Sequence, residues 1–309
     1  MLVSGAFVFA ALAYGYFHRD QLARLASLSW GVGLAAVGAR VVAYFAHNGA
    51  LLLALRRFAP RLGFAELCLV SSGGFFAKQV LPGFGAIAVR MVYLKRRHDV
   101  APGQVLGASA TWVAASLATS GAFAVGAVMW LAADGRAGVR SLWVGAALVS
   151  AAGVAALVAG PRLAAAISRR VARLATFGES FAQLVGSGRV LLGVLVASLL
   201  YGAGGFASFG VIFAALAGGG AAGARSWAKA WVLGGAVQAI TSIGYLVAFT
   251  PGNFGSYEWL VGAVGGSARL SLMLCLLTAA LFRVAGALAA LCGGALVLPL
   301  GRGGGEKPA

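Results

Sequence analysis

The chain has 309 residues, of which 61% are hydrophobic and only 10% are charged. A soluble domain carries about 25% charged residues, so most of this chain must face lipid or other membrane helices. Lysine and arginine number 24 against seven acids, and in a soluble protein the resulting formal charge of +17 would suggest nucleic-acid binding. In a membrane protein the same excess reflects basic cytoplasmic loops. We therefore predict an all-α polytopic membrane protein with no nucleic-acid partner.

Apolar runs long enough to cross a bilayer recur along the chain, since a span needs about 20 residues. The first run, at 2–17, is short, but no basic segment precedes it as in a signal peptide, and we interpret it as a span. The total is about seven or eight spans. The other predicted spans are 30–55, 105–132, 142–160, 190–216, 227–249 and 270–300, the last being one tilted helix or two close pieces.

The segment from 64 to 94 is interrupted. An apolar run at 64–80 stops at Pro82 and Gly83, and a shorter run at 86–94 follows Gly85. Two such short pieces do not make an ordinary span, and a break at membrane depth is tolerated only where protein or a water-filled cavity surrounds it. Cations flank the segment on both sides. Only an element that enters the membrane and returns keeps these cations and those of 161–189 on the cytoplasmic side, so we predict a re-entrant element.

The stretch 161–189 holds five arginines and one acid, with apolar residues at helical spacing. This pattern predicts a basic amphipathic helix on the membrane surface. It joins two halves, at about 30–135 and 190–300, of a single membrane domain that covers residues 1–300. Residues 301–309 are polar and predicted to be disordered.

A second interruption at 250–258 matches the first, because each has Pro-Gly, then a Phe-Gly pair, then a helix-starting stretch with an ionisable residue. Paired breaks in two halves of a membrane protein predict an internal repeat with a substrate site at its interface. Each break frees N–H groups at the start of a half-helix, where an anion can bind. The alternative is a pair of lipid-adapted kinks or tight hairpins. The candidate binding residues at the breaks are Pro82, Gly83, Gly85, Pro251, Gly252, Gly255, Ser256 and Tyr257.

Ionisable residues within or beside apolar runs give a second set of candidates. Such residues are costly at membrane depth and normally face the interior and pair. Basic ones outnumber the single acid, so even after one ion pair the rest would line an electropositive site suited to an anionic head group. Alternatively, a long basic side chain can extend to the membrane surface and keep its charge in water. This interpretation is favoured for Lys78, and for Arg40 and Arg283 the two interpretations are equally supported. The candidate substrate-binding residues of this set are Arg40, Arg90, Glu258 and Arg283.

Catalytic and metal-binding patterns are absent from the sequence. There is no nucleophile elbow, phosphate loop or HExxH motif, and seven acids with three histidines are a thin supply for acid–base chemistry. The cysteines are unpaired in the sequence and lie in apolar stretches, which indicates buried thiols. We expect neither an enzyme nor a cofactor, and no metal site.

The residues around the two breaks resemble the membrane region of lysylphosphatidylglycerol synthases, which also occurs as stand-alone flippase-like membrane proteins. The resemblance rests on GGFFAKQVLPGFGAIAVRMVYLKRRHDV at 73–100, TPGNFGSYEWLVGAVG at 250–265 and the Leu281-Phe282-Arg283 that follows. Many members carry an acid shortly before the Arg of the first motif, where this chain has Ala86 and Ile87. The resemblance implies that a partner for Arg90 comes from elsewhere, with Glu258 one choice, or that the substrate differs.

The resemblance implies lipid translocation without aminoacyl transfer, since the soluble synthase domain is missing. We expect a flippase for an anionic or aminoacylated phospholipid or a lipid-linked intermediate, with anionic membrane lipids as partners. The resemblance also implies a location in a bacterial cytoplasmic (inner) membrane. The alternative is a non-transporting membrane partner or anchor for a glycosyltransferase or lipid synthase. The basic stretch 161–189 favours this alternative. A membrane-embedded enzyme acting on lipids is a weaker third hypothesis.

Overall fold

The computed structural model describes residues 25, 28–80, 85–135, 140–218, 223–246 and 256–301, and within these ranges the regular structure is helical. The predicted first span at 2–17 and residues 302–309 of the predicted tail lie outside the described residues. The α-helices are α1 (Trp30–Leu55), α2 (Phe64–Val80), α3 (Gly85–His98), α4 (Pro102–Ala133), α5 (Arg140–Val158), α6 (Gly160–Arg170), α7 (Ala175–Gly186), α8 (Gly188–Leu216), α9 (Ala224–Thr241), α10 (Ser256–Ser267) and α11 (Leu272–Gly301), with 3₁₀ turns at Ala172–Leu174 and Ser242–Leu246.

Five of the described helices, α1, α4, α5, α8 and α11, are long and apolar enough to cross a membrane. This finding fits an all-α membrane protein, and the predicted total of seven or eight spans is not reached in the described part. The predicted span at 227–249 falls on α9, which ends at Thr241 and passes into a 3₁₀ turn. The predicted span at 270–300 is one continuous helix, and Gly301, assigned to the tail, ends it.

Local chemistry explains several helix boundaries. The hydroxyl of Ser29 accepts a hydrogen bond from the Val32 N–H and caps the start of α1. Pro102 opens α4, where its missing N–H costs nothing and its fixed φ suits the first turn. The predicted boundary at residue 80 is the observed end of α2, and α3 begins at Gly85.

The basic stretch at 161–189 contains two short helices, α6 and α7, rather than one. The backbone at Val171 is extended and separates them. On α6 the apolar residues Leu163 and Ile167 are exposed, as on an amphipathic surface helix, whereas α7 buries Phe181 and Leu184 and packs against α4. The apolar spacing was continuous across the break, which is why it predicted a single helix.

Contacts between glycines and facing residues give the directions of the long helices. Gly193 lies against Leu53, and Gly204 lies against Ala39 and Ala43, so α1 and α8 are antiparallel. Arg40 faces Gly286 and Tyr44 faces Gly293, so α11 runs parallel to α1. Contacts of Thr119 with Ser198 and of Phe123 with Gly202 show that α4 runs parallel to α8.

The helix contacts are symmetric under an exchange of α1–α4 with α8–α11. The exchange relates α1 to α8, α2 to α9, α3 to α10 and α4 to α11. Helix α1 packs directly against its counterpart α8. Helix α11 contacts α1 and α2, as α4 contacts α8 and α9. Within each set the neighbours in sequence also touch, α1 with α2 and α8 with α9, α2 with α3 and α9 with α10, α3 with α4 and α10 with α11. Helices α5, α6 and α7 lie between the two sets in the chain.

Candidate functional site

Helices α2 and α3 form an antiparallel hairpin. Polar side chains join the end of this hairpin where α2 begins and α3 ends. The Glu66 carboxylate at the start of α2 accepts hydrogen bonds from the Tyr93 hydroxyl at 2.7 Å and the Gly63 N–H at 3.4 Å, and lies 2.9 Å from His98 Nε2. Partial burial raises the pKa of Glu66, but these hydrogen bonds outweigh it and leave the pKa below its ordinary value. Glu66 thus joins the start of α2 to the end of α3.

Arg90 lies in the inner part of α3 and is 7% exposed. Among the described residues its polar contact is His47 on α1, with Arg90 Nη2 3.4 Å from His47 Nε2, and Arg90 Nε has no hydrogen-bond partner. The His47 ring packs at 4.3 Å, centroid to centroid, against Trp112 on α4. The partner suggested for Arg90, Glu258, pairs with Arg283 instead, so no acid of the described residues pairs with the buried Arg90 guanidinium.

Two further cations lie near Arg90. Arg40 on α1 sits 4.5 Å above the Phe282 ring, and its buried Nε has no hydrogen-bond partner in the described part of the chain. Lys78 on α2 lies 4.4 Å from the Phe75 ring and interacts electrostatically with Arg40, Arg283 and Arg90. Four cations therefore converge from α1, α2, α3 and α11. Lys78, for which extension to the membrane surface is the favoured interpretation, is partly exposed and also interacts with this group.

The one acid near this group is occupied. Glu258 on α10 forms an ion pair with Arg283 on α11, and Arg283 Nη2 also donates to Glu258 Oε2 at 3.3 Å. The Tyr257 ring lies 5.4 Å below the same guanidinium. Glu258 and Arg283 side chains are 13% and 19% exposed, so the pair is mostly shielded from solvent. Three cations, Arg40, Lys78 and Arg90, form no ion pair with an acid among the described residues.

The residues at the breaks are only partly described. Pro82, Gly83, Pro251, Gly252 and Gly255 lie outside the described residues. Gly85 is buried and begins α3, and Ser256 begins α10. Helices α3 and α10 are the two half-helices whose N-termini were predicted to bind an anion, and each begins directly after its break.

Sequence reasoning missed the polar face of α1 as a candidate. Tyr44 hydrogen-bonds the Ser72 hydroxyl at 2.7 Å and the Cys68 carbonyl, which ties α1 to α2, and Asn48 is fully buried. Positions 40, 44, 47 and 48 are spaced by four, three and one, the period of one helical face, and this spacing could have identified them. His47 was set aside because it has no metal-ligand spacing.

A groove of about 630 Å³ opens between α4, α8 and α9, and its lining is entirely apolar. Phe206 in its wall lies one turn before Phe209, whose ring is 5.4 Å from that of Phe282. The Phe282 ring also lies 4.5 Å from the Arg40 guanidinium. The groove is lined by Ala122, Phe123, Gly126, Ala127, Trp130, Leu199, Ala203, Phe206, Ala207, Trp231 and Val232.

Comparison with protein-family models, curated proteins and solved structures finds no match for this chain.

Proposed function

We propose that this protein moves a lipid with an anionic head group between the leaflets of a bacterial cytoplasmic membrane. The observation that carries the proposal is the convergence of Arg40, Lys78 and Arg90 without an acidic partner among the described residues. Arg90 is buried, and Arg40 and Lys78 are partly exposed. A charge shielded from water is costly unless it is paired, so an anionic ligand would compensate these cations. Residues that are costly at membrane depth commonly mark substrate pathways.

The proposal includes two re-entrant hairpins. Glu66 at the start of α2 contacts His98 at the end of α3, so that hairpin begins and ends at one level. The second hairpin consists of α9 and α10. Arg225 at the start of α9 pairs with Asp134 at the end of α4, and the Ser267 carbonyl at the end of α10 accepts a hydrogen bond from Ser141 at the start of α5. Because α4 and α5 are joined by a short segment, the start of α9 and the end of α10 also lie at one level. Helices α3 and α10, at about 21 and 18 Å, are too short for a core of about 30 Å.

The symmetric contacts support an inverted repeat made of α1–α4 and α8–α11. Helices α1 and α8 occupy equivalent places and are antiparallel, so the axis that relates them is perpendicular to the helices and lies in the membrane plane. The hairpins would then enter from opposite sides, with the cations near the depth where they meet. Substrate sites of inverted-repeat transporters lie at such a repeat interface.

The apolar groove favours a lipid over a water-soluble anion. A lipid needs room for acyl chains beside its head group, and the groove between α4, α8 and α9 is open and lined only by apolar residues. Phe206 in its wall lies one turn before Phe209, whose ring packs against Phe282, and Phe282 contacts Arg40. In the proposed arrangement the head group lies among the cations and the acyl chains remain in apolar surroundings.

Reconstitution in liposomes tests the proposal. Vesicles with fluorescent phosphatidylglycerol, phosphatidate or phosphatidylcholine are prepared with and without protein, and dithionite quenching reports how much label reaches the outer leaflet. We expect faster movement of anionic lipid in protein-containing vesicles. Rates equal to those of protein-free vesicles for every lipid, with protein shown to be folded and inserted, would contradict the proposal.

A second candidate is a non-transporting membrane partner for a lipid-modifying enzyme, and one observation favours it. Helix α6 exposes Arg162, Arg169 and Arg170 beside exposed Leu163 and Ile167, a surface suited to an acidic protein or lipid face. Recovery of a soluble enzyme with the wild type, its loss after substitution of the three arginines by serine, and no lipid movement would together favour this function.

A further inference from the structure

The charge balance around the cations restricts the head group, provided that the proposed lipid translocation holds. Of the seven acids in the sequence, Glu66, Asp99, Asp134, Glu179 and Glu258 are described, and Asp20 and Glu306 lie outside the described residues. Four of the five described acids are engaged or exposed elsewhere. Glu66 contacts His98, Asp99 pairs with Lys95, Asp134 pairs with Arg225 and Lys229, and Glu179 is exposed.

The fifth acid, Glu258, is in a shielded ion pair with Arg283. This pairing leaves Arg40, Lys78 and Arg90 as three cations whose charge no described carboxylate balances. Asn48 on the same face of α1 has a buried amide oxygen, Oδ1, which is neutral and has no hydrogen-bond partner in the described part of the chain. An amide oxygen cannot balance the charge of an ammonium group, so an amine in the head group would meet cations and no described carboxylate free to receive it.

The number of unbalanced cations also favours a ligand with more than one negative charge. A phosphate monoester carries about 1.5 to 2 negative charges at pH 7 and offers three acceptor oxygens, whereas a phosphodiester carries one charge. Arg90 Nε and Arg40 Nε are buried donors without a partner, and guanidinium groups suit phosphate oxygens.

We propose that the site bounded by Arg40, Lys78 and Arg90 selects lipids that end in a phosphate monoester without an amine, and discriminates against zwitterionic and aminoacylated head groups. The chemical class includes phosphatidate and polyprenyl phosphates. This assignment departs from the aminoacylated substrate that the sequence resemblance allowed.

Binding to detergent-solubilised protein, followed by native mass spectrometry, tests the selection. The probes are phosphatidate, phosphatidylglycerol, phosphatidylcholine and lysylphosphatidylglycerol with identical acyl chains. We expect phosphatidate to bind at least about tenfold more tightly than phosphatidylglycerol, and lysylphosphatidylglycerol to bind weakest. Equal or tighter binding of lysylphosphatidylglycerol or phosphatidylcholine, or no binding of phosphatidate, would overturn the assignment.

Inorganic phosphate and glycerol 3-phosphate separate a lipid site from a site for free phosphate. We expect neither to displace phosphatidate at equal concentration, because both lack acyl chains. Displacement at equal concentration would overturn the lipid assignment. Phosphatidate affinity should also rise between pH 5 and pH 8 as its second proton leaves, while phosphatidylglycerol affinity should change less, and parallel pH profiles would count against charge selection.

Three variants connect the preference to the named residues. Arg90→Ala should lose most of the preference for phosphatidate, and Arg57→Ala, an exposed cation at the end of α1, is the matched control. Ile87→Glu places a carboxylate three residues before Arg90 on the same face of α3 and should weaken phosphatidate while improving lysylphosphatidylglycerol. Thermal melting confirms folding, and an unchanged order of affinities in folded Arg90→Ala and Ile87→Glu would overturn the assignment.

The liposome transport assay keeps the two proposals distinguishable. Selective binding of phosphatidate without movement of any lipid would leave the selection standing and remove the translocase. Movement of several lipids without a preference for the monoester would leave the translocase standing and remove the selection.

Discussion

At the scale of single residues, the ion pair between Glu258 and Arg283 joins α10 to α11 in surroundings that are largely shielded. Removing one partner of a buried pair leaves an uncompensated charge and costs about 3–5 kcal/mol, whereas removing both costs less. We therefore expect Glu258→Gln and Arg283→Met each to lower the melting temperature in detergent, and the double variant to lower it by less than the sum.

A double-mutant cycle on these two positions measures the coupling directly. Arg269→Met, a cation in the turn between α10 and α11 with no described ion pair to an acid, provides the control. Additive effects of the two single substitutions would show that the pair contributes no coupling energy.

Glu66 predicts a pH dependence of stability. Because its pKa is lower in the folded protein, its hydrogen bonds with Tyr93 and His98 stabilise the fold at pH values above the unfolded pKa of about 4.3. This contribution is lost as the pH falls through the folded value. The melting-temperature difference between the wild type and Glu66→Gln should be largest near pH 7 and shrink below about pH 4. A difference that grows on acidification would reverse the sign of the argument.

At the scale of helices, the close approach of α1 and α8 depends on Gly204. A Cβ atom at this position would be 2.5 Å from the Ala39 carbonyl oxygen and 2.9 Å from the Ala43 Cβ. Because both obstacles belong to a helix that cannot yield locally, Gly204→Ala should cost about 1–3 kcal/mol. The melting temperature in detergent measures the effect.

Gly38 in α1 is the matched control, because a Cβ there would meet nothing within 4 Å. Gly38→Ala should be neutral or stabilising, since alanine is the better helix former by about 1 kcal/mol. Equal losses in the two variants would indicate a general intolerance of larger side chains in these helices rather than a specific contact between α1 and α8.

Hydropathy was sufficient to predict most long helices and the place where α2 ends, because both depend on local composition. It could not predict that α9 ends at Thr241 or that 161–189 contains two helices. Both depend on tertiary packing, since α7 is held by contacts with α4 and the 3₁₀ turn after α9 packs against α10. Cys292 shows the same limit, because it is exposed although its apolar setting predicted burial.

The sequence could predict that cations gather at membrane depth, but it could not predict which of them pairs with Glu258. The excess of cations over acids in apolar runs follows from counting residues, and it directed attention to Arg40 and Arg90. The cation that Glu258 binds depends on the relative positions of α10 and α11. Glu258 and Arg283 are 25 residues apart in sequence, and the sequence alone could not decide between Arg90 and Arg283 as the partner. The contribution of His47 required the contact between its ring and Arg90 on α3, which the sequence does not show.

At the scale of the whole molecule, the helix directions predict a topology. Helix α11 runs parallel to α1, so its end should share the side of Arg56, Arg57 and Arg61, which the positive-inside rule assigns to the cytoplasm. Green fluorescent protein fused after Ala309 should fluoresce. Alkaline phosphatase inserted between Gly218 and Gly223 should be active, and the reverse pattern at either position would refute the inverted arrangement.

The central claim is that Arg40, Lys78 and the buried Arg90 bind an anionic lipid while it moves across the membrane. The most direct measurement is the rate of phosphatidate movement in liposomes for Arg90→Ala against Arg57→Ala, with equal amounts of folded protein. We predict a loss of tenfold or more for Arg90→Ala, about 1.4 kcal/mol or more, and a rate within twofold of the wild type for Arg57→Ala. Equal rates for the two variants would contradict the claim.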